Sequence, residues 1–344
     1  MPVSLRFRGL VLLLVGLLVG TGAIVQAAPA SMQWSLLDTR LQSLSASSNL
    51  LVAEFRGNSC QTIHGRNQDQ PLAIASTFKL YVLGELARQI QLGQASWDEQ
   101  VALTDELRSM PSGDYAYAPA GTMVSLRQLA EAMIWQSDNT ATDHLINRLG
   151  RENVQQAFQA YGHGNPSLNA PLLLTKEMFG IKMSQSSEWM STWQAAPEDV
   201  QLQMLAETID PMRINPTGGW GRWNGPTAID GIEWFASADD LCRATAALWS
   251  MGAQKGLEPV RDLLTGNRYG ITDTTTWPRA GYKGGYEAGV VNMTFVLERN
   301  DGRVFFVSAG YNDPVRVVDT ATARTTLDPV FGCLKAYVDE FSCG

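Results

Sequence analysis

The sequence predicts a mixed α/β (α+β) fold: one antiparallel sheet, flanked by helices and completed by both ends of the chain, with a helical lobe inserted between. Three observations predict it. Strand-like runs pair at 49–65, three more crowd into 279–310, and helical periods fill most of what lies between. With 344 residues, 45% hydrophobic and 17% charged, the chain has room for one large domain or two modest ones.

Residues 1–30 stand apart. Arg6 and Arg8 precede an almost wholly apolar stretch at 9–25, followed by small residues at Val25-Gln26-Ala27 and Ala28-Pro29-Ala30. This pattern predicts a secretory signal peptide and export to the periplasm or beyond; the alternative is an uncleaved N-terminal membrane anchor. No cysteine follows the run, which argues against a lipid-anchored form. The remainder, 31–344, is expected to form one domain. Its α/β lobe would comprise about 31–75 and 237–344, and its helical lobe about 76–236.

Residues 49–56 alternate as a strand, Gly57-Asn58-Ser59 turns, and 60–65 return. From Ser76 onward the pattern is helical and apolar nearly all round (Phe78, Leu80, Tyr81, Val82, Leu83, Leu86, Ile90), which predicts a buried helix. Two further helices are expected at 125–136 and 140–149, separated by the polar break Ser137-Asp138-Asn139. The stretch 165–235 is rich in proline and tryptophan; a single helix is expected at about 175–193 and a loop at 211–227. A helix at 237–251 follows, then strands at 279–286, 290–298 and 303–310. Asn300-Asp301-Gly302 marks a hairpin between the last two, and a closing helix is expected at about 322–340.

The balance of 26 Lys and Arg against 34 Asp and Glu gives a net charge of −8. With no basic stripe, this argues against nucleic acid or an anionic membrane surface as a partner. The three histidines, His64, His144 and His163, are scattered, with no pair at ligand spacing, so no metal is expected, and nothing in the chain calls for an organic cofactor. Four cysteines, Cys60, Cys242, Cys333 and Cys343, allow three complete pairings; Cys242, in the helical pattern 239–244, is also a candidate buried free thiol. A monomer is the expected state.

Three short motifs carry chemistry. Ser76-Thr77-Phe78-Lys79 sets a hydroxyl and an amine three residues apart on one helix face. A serine needs a base beside it, and a lysine in a dry helix can serve because burial disfavours its charged form. One chance S-x-x-K is expected in roughly a few hundred residues, so this motif alone is weak. Ser137-Asp138-Asn139 is far rarer by chance. It could point a hydroxyl and an amide into a cleft, although Asp138 also reads as a helix cap. Lys283-Gly284-Gly285, on a strand between Tyr282 and Tyr286, offers a positive charge and a backbone that a substrate can approach.

In this order, S-x-x-K, S-D-N and a K-T-G-like triplet, the chain resembles the class A β-lactamases and penicillin-binding proteins over about 45–160 and 237–340. The resemblance implies the penicillin-recognising serine hydrolase fold and a small-molecule or cell-wall-derived substrate. It implies Ser76 as acylated nucleophile, Lys79 as its activating partner and Ser137 as proton relay. Asn139 would hold the substrate side chain, and Lys283 would attract a carboxylate. The Ser76 and Tyr286 N–H groups would form an oxyanion hole, with Gly285 admitting the substrate backbone. Two departures matter. Gly284 stands where the family carries Thr or Ser, a loss that Tyr286 could partly offset. The E-x-x-L-N motif that supplies a deacylating glutamate is missing: its nearest match is Asn165-Pro166-Ser167-Leu168-Asn169. The stretch 165–235 is expected to replace that loop, and Glu177, Glu188, Glu198 and Glu233 within it carry no assignable role. Together with Ile232-Glu233-Trp234-Phe235, it is similar to serine hydrolases of esterase type.

Overall fold

The computed structural model describes Met1 and residues 32–214 and 225–338. The predicted signal segment, and part of the predicted loop at 211–227, lie outside the described residues. In chain order, α1 (Trp34–Leu44) leads into the hairpin β1 (Ser47–Arg56) and β2 (Ser59–Arg66). Short β3 (Leu72–Ala73) precedes α2 (Lys79–Gln91). β4 (Gln100–Ala102) and β5 (Met123–Ser125) pair with each other, and then come α3 (Leu126–Glu131), α4 (Asn139–Leu149), α5 (Arg151–Ala160), α6 (Thr175–Ser184), α7 (Ser187–Ala195) and α8 (Glu198–Thr208). β6 (Phe235–Ala236) pairs with β3 and is followed by α9 (Ala238–Met251) and α10 (Pro259–Thr265). The chain closes with β7 (Arg279–Glu287), β8 (Val290–Glu298), β9 (Val304–Asn312), α11 (Thr320–Thr326) and α12 (Asp328–Ala336).

The main sheet runs β2-β1-β9-β8-β7, antiparallel throughout, so both ends of the chain build it as the sequence predicts. Helices cover both faces, which is why β8 and β9 are buried along nearly their whole length instead of alternating between core and water. On one face Leu37 and Leu41 of α1 and Val330, Phe331 and Leu334 of α12 pack against Phe295, Phe305 and Val307. On the other, Leu51, Ala53 and Phe306 meet the cluster that contains α2 and α9. Nearly every residue of α2 is buried, in keeping with its all-round apolar pattern.

Three expectations are corrected. The helix expected at 175–193 is two helices: Ser186 accepts from Trp189 N at 3.2 Å and caps α7, so the chain restarts there. The closing helix is likewise split at Leu327, where Pro329 opens α12. Cys242 is no free thiol. The buried face of α9 lies against β2, and Cys242 is bonded to Cys60 there; Cys333 is disulfide-bonded too.

Candidate active site

Ser76 lies in a 3-10 turn (Ala75–Phe78) that runs directly into α2. Three contacts fix this turn. Ile74 N donates to Trp234 O at 2.9 Å. Phe78 stacks on Trp234 with centroids 3.9 Å apart. Thr77 Oγ1 donates to Asn292 Oδ1 on β8 at 3.0 Å. Asn292 is the register partner of Gly285, so the same bond brings β7 alongside the turn. A Cβ at 285 would stand 1.9 Å from Ile74 O and 2.9 Å from Ser76 N, a space that only glycine leaves open. Ala75, just before the serine, has φ +43°, and Ser137 has φ +59°. Each strained backbone costs about 1–3 kcal/mol and is maintained by its surroundings.

Lys79 heads α2 with its side chain wholly buried and aimed at the break between α3 and α4. Its Nζ donates to Ser137 O at 2.7 Å, Ser137 Oγ at 3.2 Å and Asn139 Oδ1 at 2.7 Å. Burial lowers this amine to about 7, with Asp138 and Asp143 pulling the other way. Lys283 Nζ reaches the same hydroxyl, Ser137 Oγ, at 3.1 Å, and also Gly284 O at 2.5 Å. Burial, then repulsion from Lys79, holds Lys283 well below the ordinary amine range. One hydroxyl therefore sits between two dry amines. Asp138 does what its residue type suggested: Oδ1 caps α4 through Ala141 N at 2.7 Å, and Oδ2 accepts from Tyr115 N at 2.9 Å.

Ser76, Ser137, Asn139, Lys283, Gly285 and Tyr286 share the wall of a cleft of about 590 Å³, and Lys79 connects to that wall through Ser137 and Asn139. Every predicted site residue is thus brought together. Trp135, Phe179, Tyr269 and Tyr282 complete an aromatic lining that sequence reasoning missed. Period-2 alternation along β7 flags Tyr282, on the same face as Gly284, but no sequence signal marks the others. Tyr286, which could partly offset the loss at Gly284, lines the cleft and is 57% exposed.

No Asp or Glu lines the cleft among the described residues, and residues 215–224 contain neither. The carboxylates of the 165–235 stretch are occupied elsewhere. Glu177 pairs with Arg151 and accepts from Leu174 N at 2.7 Å. Glu233 pairs with Lys182 at 2.9 Å. Glu198 accepts from Gln155 at the surface, and Glu188 lies in the first turn of α7. The Asn169 side-chain amide donates to Phe235 O and accepts from Phe235 N. The imidazoles are each tied into the fold: His144 bonds Thr104 N and Thr140 O, His163 bonds Phe235 O and Asn165 N, and His64 bonds Asp38. Among the described residues no group of three or more His, Cys, Asp or Glu could hold a metal ion.

The sequence model of the Beta-lactamase enzyme family matches residues 38–313. No curated protein matches the chain. Solved structures do. The β-lactamase of Sphaerobacter thermophilus is 18% identical, with a TM-score of 0.59, over 86% of this chain and 93% of that one. The last common ancestor of Gram-negative class A β-lactamases is 15% identical, with a TM-score of 0.61, over 87% and 98%. PBP-A is 17% identical, with a TM-score of 0.57, over 90% and 99%. At these identities the likeness is one of fold.

Proposed function

This chain belongs to the Beta-lactamase enzyme family, and from that premise we propose that it is a serine hydrolase working through an acyl-enzyme on Ser76. The observation that carries the reading is Ser137 Oγ between two buried amines, 3.2 Å from Lys79 and 3.1 Å from Lys283, in the cleft that Ser76 lines. Lys79, poised near neutral pH by burial, takes the Ser76 proton as Oγ attacks the acyl carbon. Ser137 relays a proton to the leaving group. Asn139 holds the substrate side chain and Lys283 attracts a substrate carboxylate. The N–H groups of Ser76 and Tyr286 bind the oxyanion; such a donor is typically worth about 10²–10³ in rate.

The substrate class is a β-lactam, an ester or a peptidoglycan-like amide. Acylation needs only the groups just named, whereas deacylation needs a base for water. Among the described residues the cleft wall holds Lys283, with Lys79 reaching it through Ser137, and no carboxylate, and Phe179 is what α6 contributes. Slow deacylation follows, in the manner of a penicillin-binding or esterase-like enzyme. The likeness to PBP-A, of which a mutant is described as an acyl-enzyme complex with penicillin G, supports this reading. A non-catalytic cell-wall binder on the same fold would have no use for an amine near 7 beside a serine. The leader-like N-terminus and the Cys60–Cys242 bridge support export of a protein whose α/β and helical lobes meet at this cleft.

Intact mass after mixing with penicillin tests it, with hydrolysis followed in the same tube. A lasting adduct, absent in Ser76→Ala, is expected. Rapid turnover without an adduct would overturn slow deacylation, and full activity in Ser76→Ala would overturn the nucleophile.

A further inference from the structure

The end of the cleft at Lys283 lacks a counter-charge. Two amines meet there and no carboxylate lines the space among the described residues. An anion entering the cleft favours the ammonium form of Lys283, which has three donors. Lys283 Nζ spends two, on Ser137 Oγ and Gly284 O, which leaves one donor for an anionic group entering the cleft.

What stands beside that donor is set by the pleat of β7. Side chains alternate, so Tyr282, position 284 and Tyr286 share a face. Tyr286 turns outward. The Tyr282 ring is clamped, stacked on Tyr269 with centroids 4.1 Å apart and tilted on Phe295 at 4.8 Å. Its hydroxyl occupies the start of the side chain that residue 284 lacks: a Cβ on Gly284 would stand only 1.9 Å from Tyr282 Oη, little more than a covalent bond length. Tyr282 lines the cleft, and its hydroxyl has no hydrogen-bond partner among the described residues. A phenol fixed by stacking, with an unused donor, is a preformed contact rather than filler.

Resting on the serine-hydrolase reading, we propose that Tyr282 is a substrate-binding residue whose hydroxyl donates to the carboxylate that Lys283 attracts. Position 284 is glycine because that hydroxyl fills its space. The hydroxyl absent from the third motif is thus supplied from two residues upstream, on the same strand face.

The test compares acylation rates of Ser76, read by intact mass, for penicillin G and for a thioester bearing a free carboxylate, each beside its methyl ester. The preference for free acid over methyl ester is the readout within each protein. The unmodified protein is expected to prefer the acid. Tyr282→Phe, which removes only the hydroxyl, is expected to cut that preference about tenfold or more, as for a hydrogen bond to a charged group. Gly284→Ser alone collides with Tyr282 and is expected to lower it too. Tyr282→Ala with Gly284→Ser vacates the space, returns a hydroxyl, and is expected to recover most of it. An unchanged preference in Tyr282→Phe, or none in the unmodified protein, overturns the proposal. Labelling of Ser76 by a fluorophosphonate in those same samples would show that the serine-hydrolase reading survives. If the unmodified protein takes up no fluorophosphonate, that reading falls, and the proposal with it.

Discussion

Two lysines in this molecule are equally dry and do opposite things. The side chains of Lys79 and Lys182 are both out of contact with water. Lys79 faces only neutral acceptors, Ser137 O and Oγ and Asn139 Oδ1. Lys182 faces two carboxyl groups, Glu233 at 2.9 Å and Glu287 at 2.7 Å. Burial disfavours an ammonium in either place. Counter-charges answer that cost at Lys182 and join α6, the turn before β6 and the end of β7. At Lys79 no carboxylate touches the amine, and the more distant Asp138 and Asp143 do not outweigh its burial, so it is left weakly basic. Both arrangements meet β7, which carries Lys283 and Glu287 four residues apart on one face. A buried lysine is thus a fastener or a reagent according to what the fold places against it.

The comparison breaks first at Lys79. Lys79→Met is expected to slow Ser76 acylation by about 10²–10⁴ while the protein still folds, checked by adduct formation and circular dichroism. Because the neutral amine is the base, acylation should fall tenfold per pH unit below about 7 and level off above it. A flat profile from pH 5 to 9 would remove Lys79 from that role. Stability carries the same signature with its own sign. The folded-state value lies below the ordinary 10.5, so the unfolded chain binds the extra proton between the two. Stability therefore rises with pH across that window, and Lys79→Met should abolish the rise.

Lys182 should behave in the opposite sense. Lys182→Met leaves the buried Glu233–Glu287 pair without its cation and is expected to cost about 3–5 kcal/mol of stability, read as a lower urea midpoint. Adding Glu233→Gln and Glu287→Gln should restore much of it, since a neutral cluster no longer needs the cation. A Lys182→Met protein as stable as its parent would mean that this cluster fastens nothing.

The two regions also differ in how far the sequence discloses them. Ser76 and Lys79 are three residues apart on one turn, and Ser137 and Asn139 flank a single cap. Local geometry alone aims such groups, so short motifs reveal them. The sheet was equally open to reading, because β1, β7, β8 and β9 announce themselves by period and by turns such as Asn300-Asp301-Gly302. The Lys182–Glu233–Glu287 cluster joins residues up to 105 positions apart. No local pattern marks it, and its members look like any charged side chains. The Cys60–Cys242 pairing was hidden for the same reason, with 182 residues between. Tyr282 and Tyr286 look alike beside their glycines, and only packing against Tyr269 and Phe295 separates the clamped ring from the exposed one. Ser186 and Pro329 were visible breaks, yet apolar periodicity on either side outweighed them and two helices read as one.

The finest difference between the two regions is a proton. Glu287 Oε1 accepts from Lys182 Nζ, while among the described residues no donor reaches its buried Oε2. That oxygen is satisfied if it carries the proton itself and donates to Glu233. Burial, then the charge of Glu233, raises this carboxyl well above the usual range. The cluster is then neutral overall: one ammonium, one carboxylate, one carboxylic acid. The folded chain binds a proton that the unfolded chain releases above the ordinary value of 4.5. The stability that this proton contributes is complete below that value and is lost as pH rises through the folded one. Glu287→Gln keeps the shape and fixes the neutral state. It is expected to change stability at pH 7 by no more than about 1 kcal/mol, and to flatten the decline between pH 5 and 9 in urea titrations. If the variant declines as steeply as its parent, the proton is not on Glu287, and the cluster holds two full negative charges against one lysine.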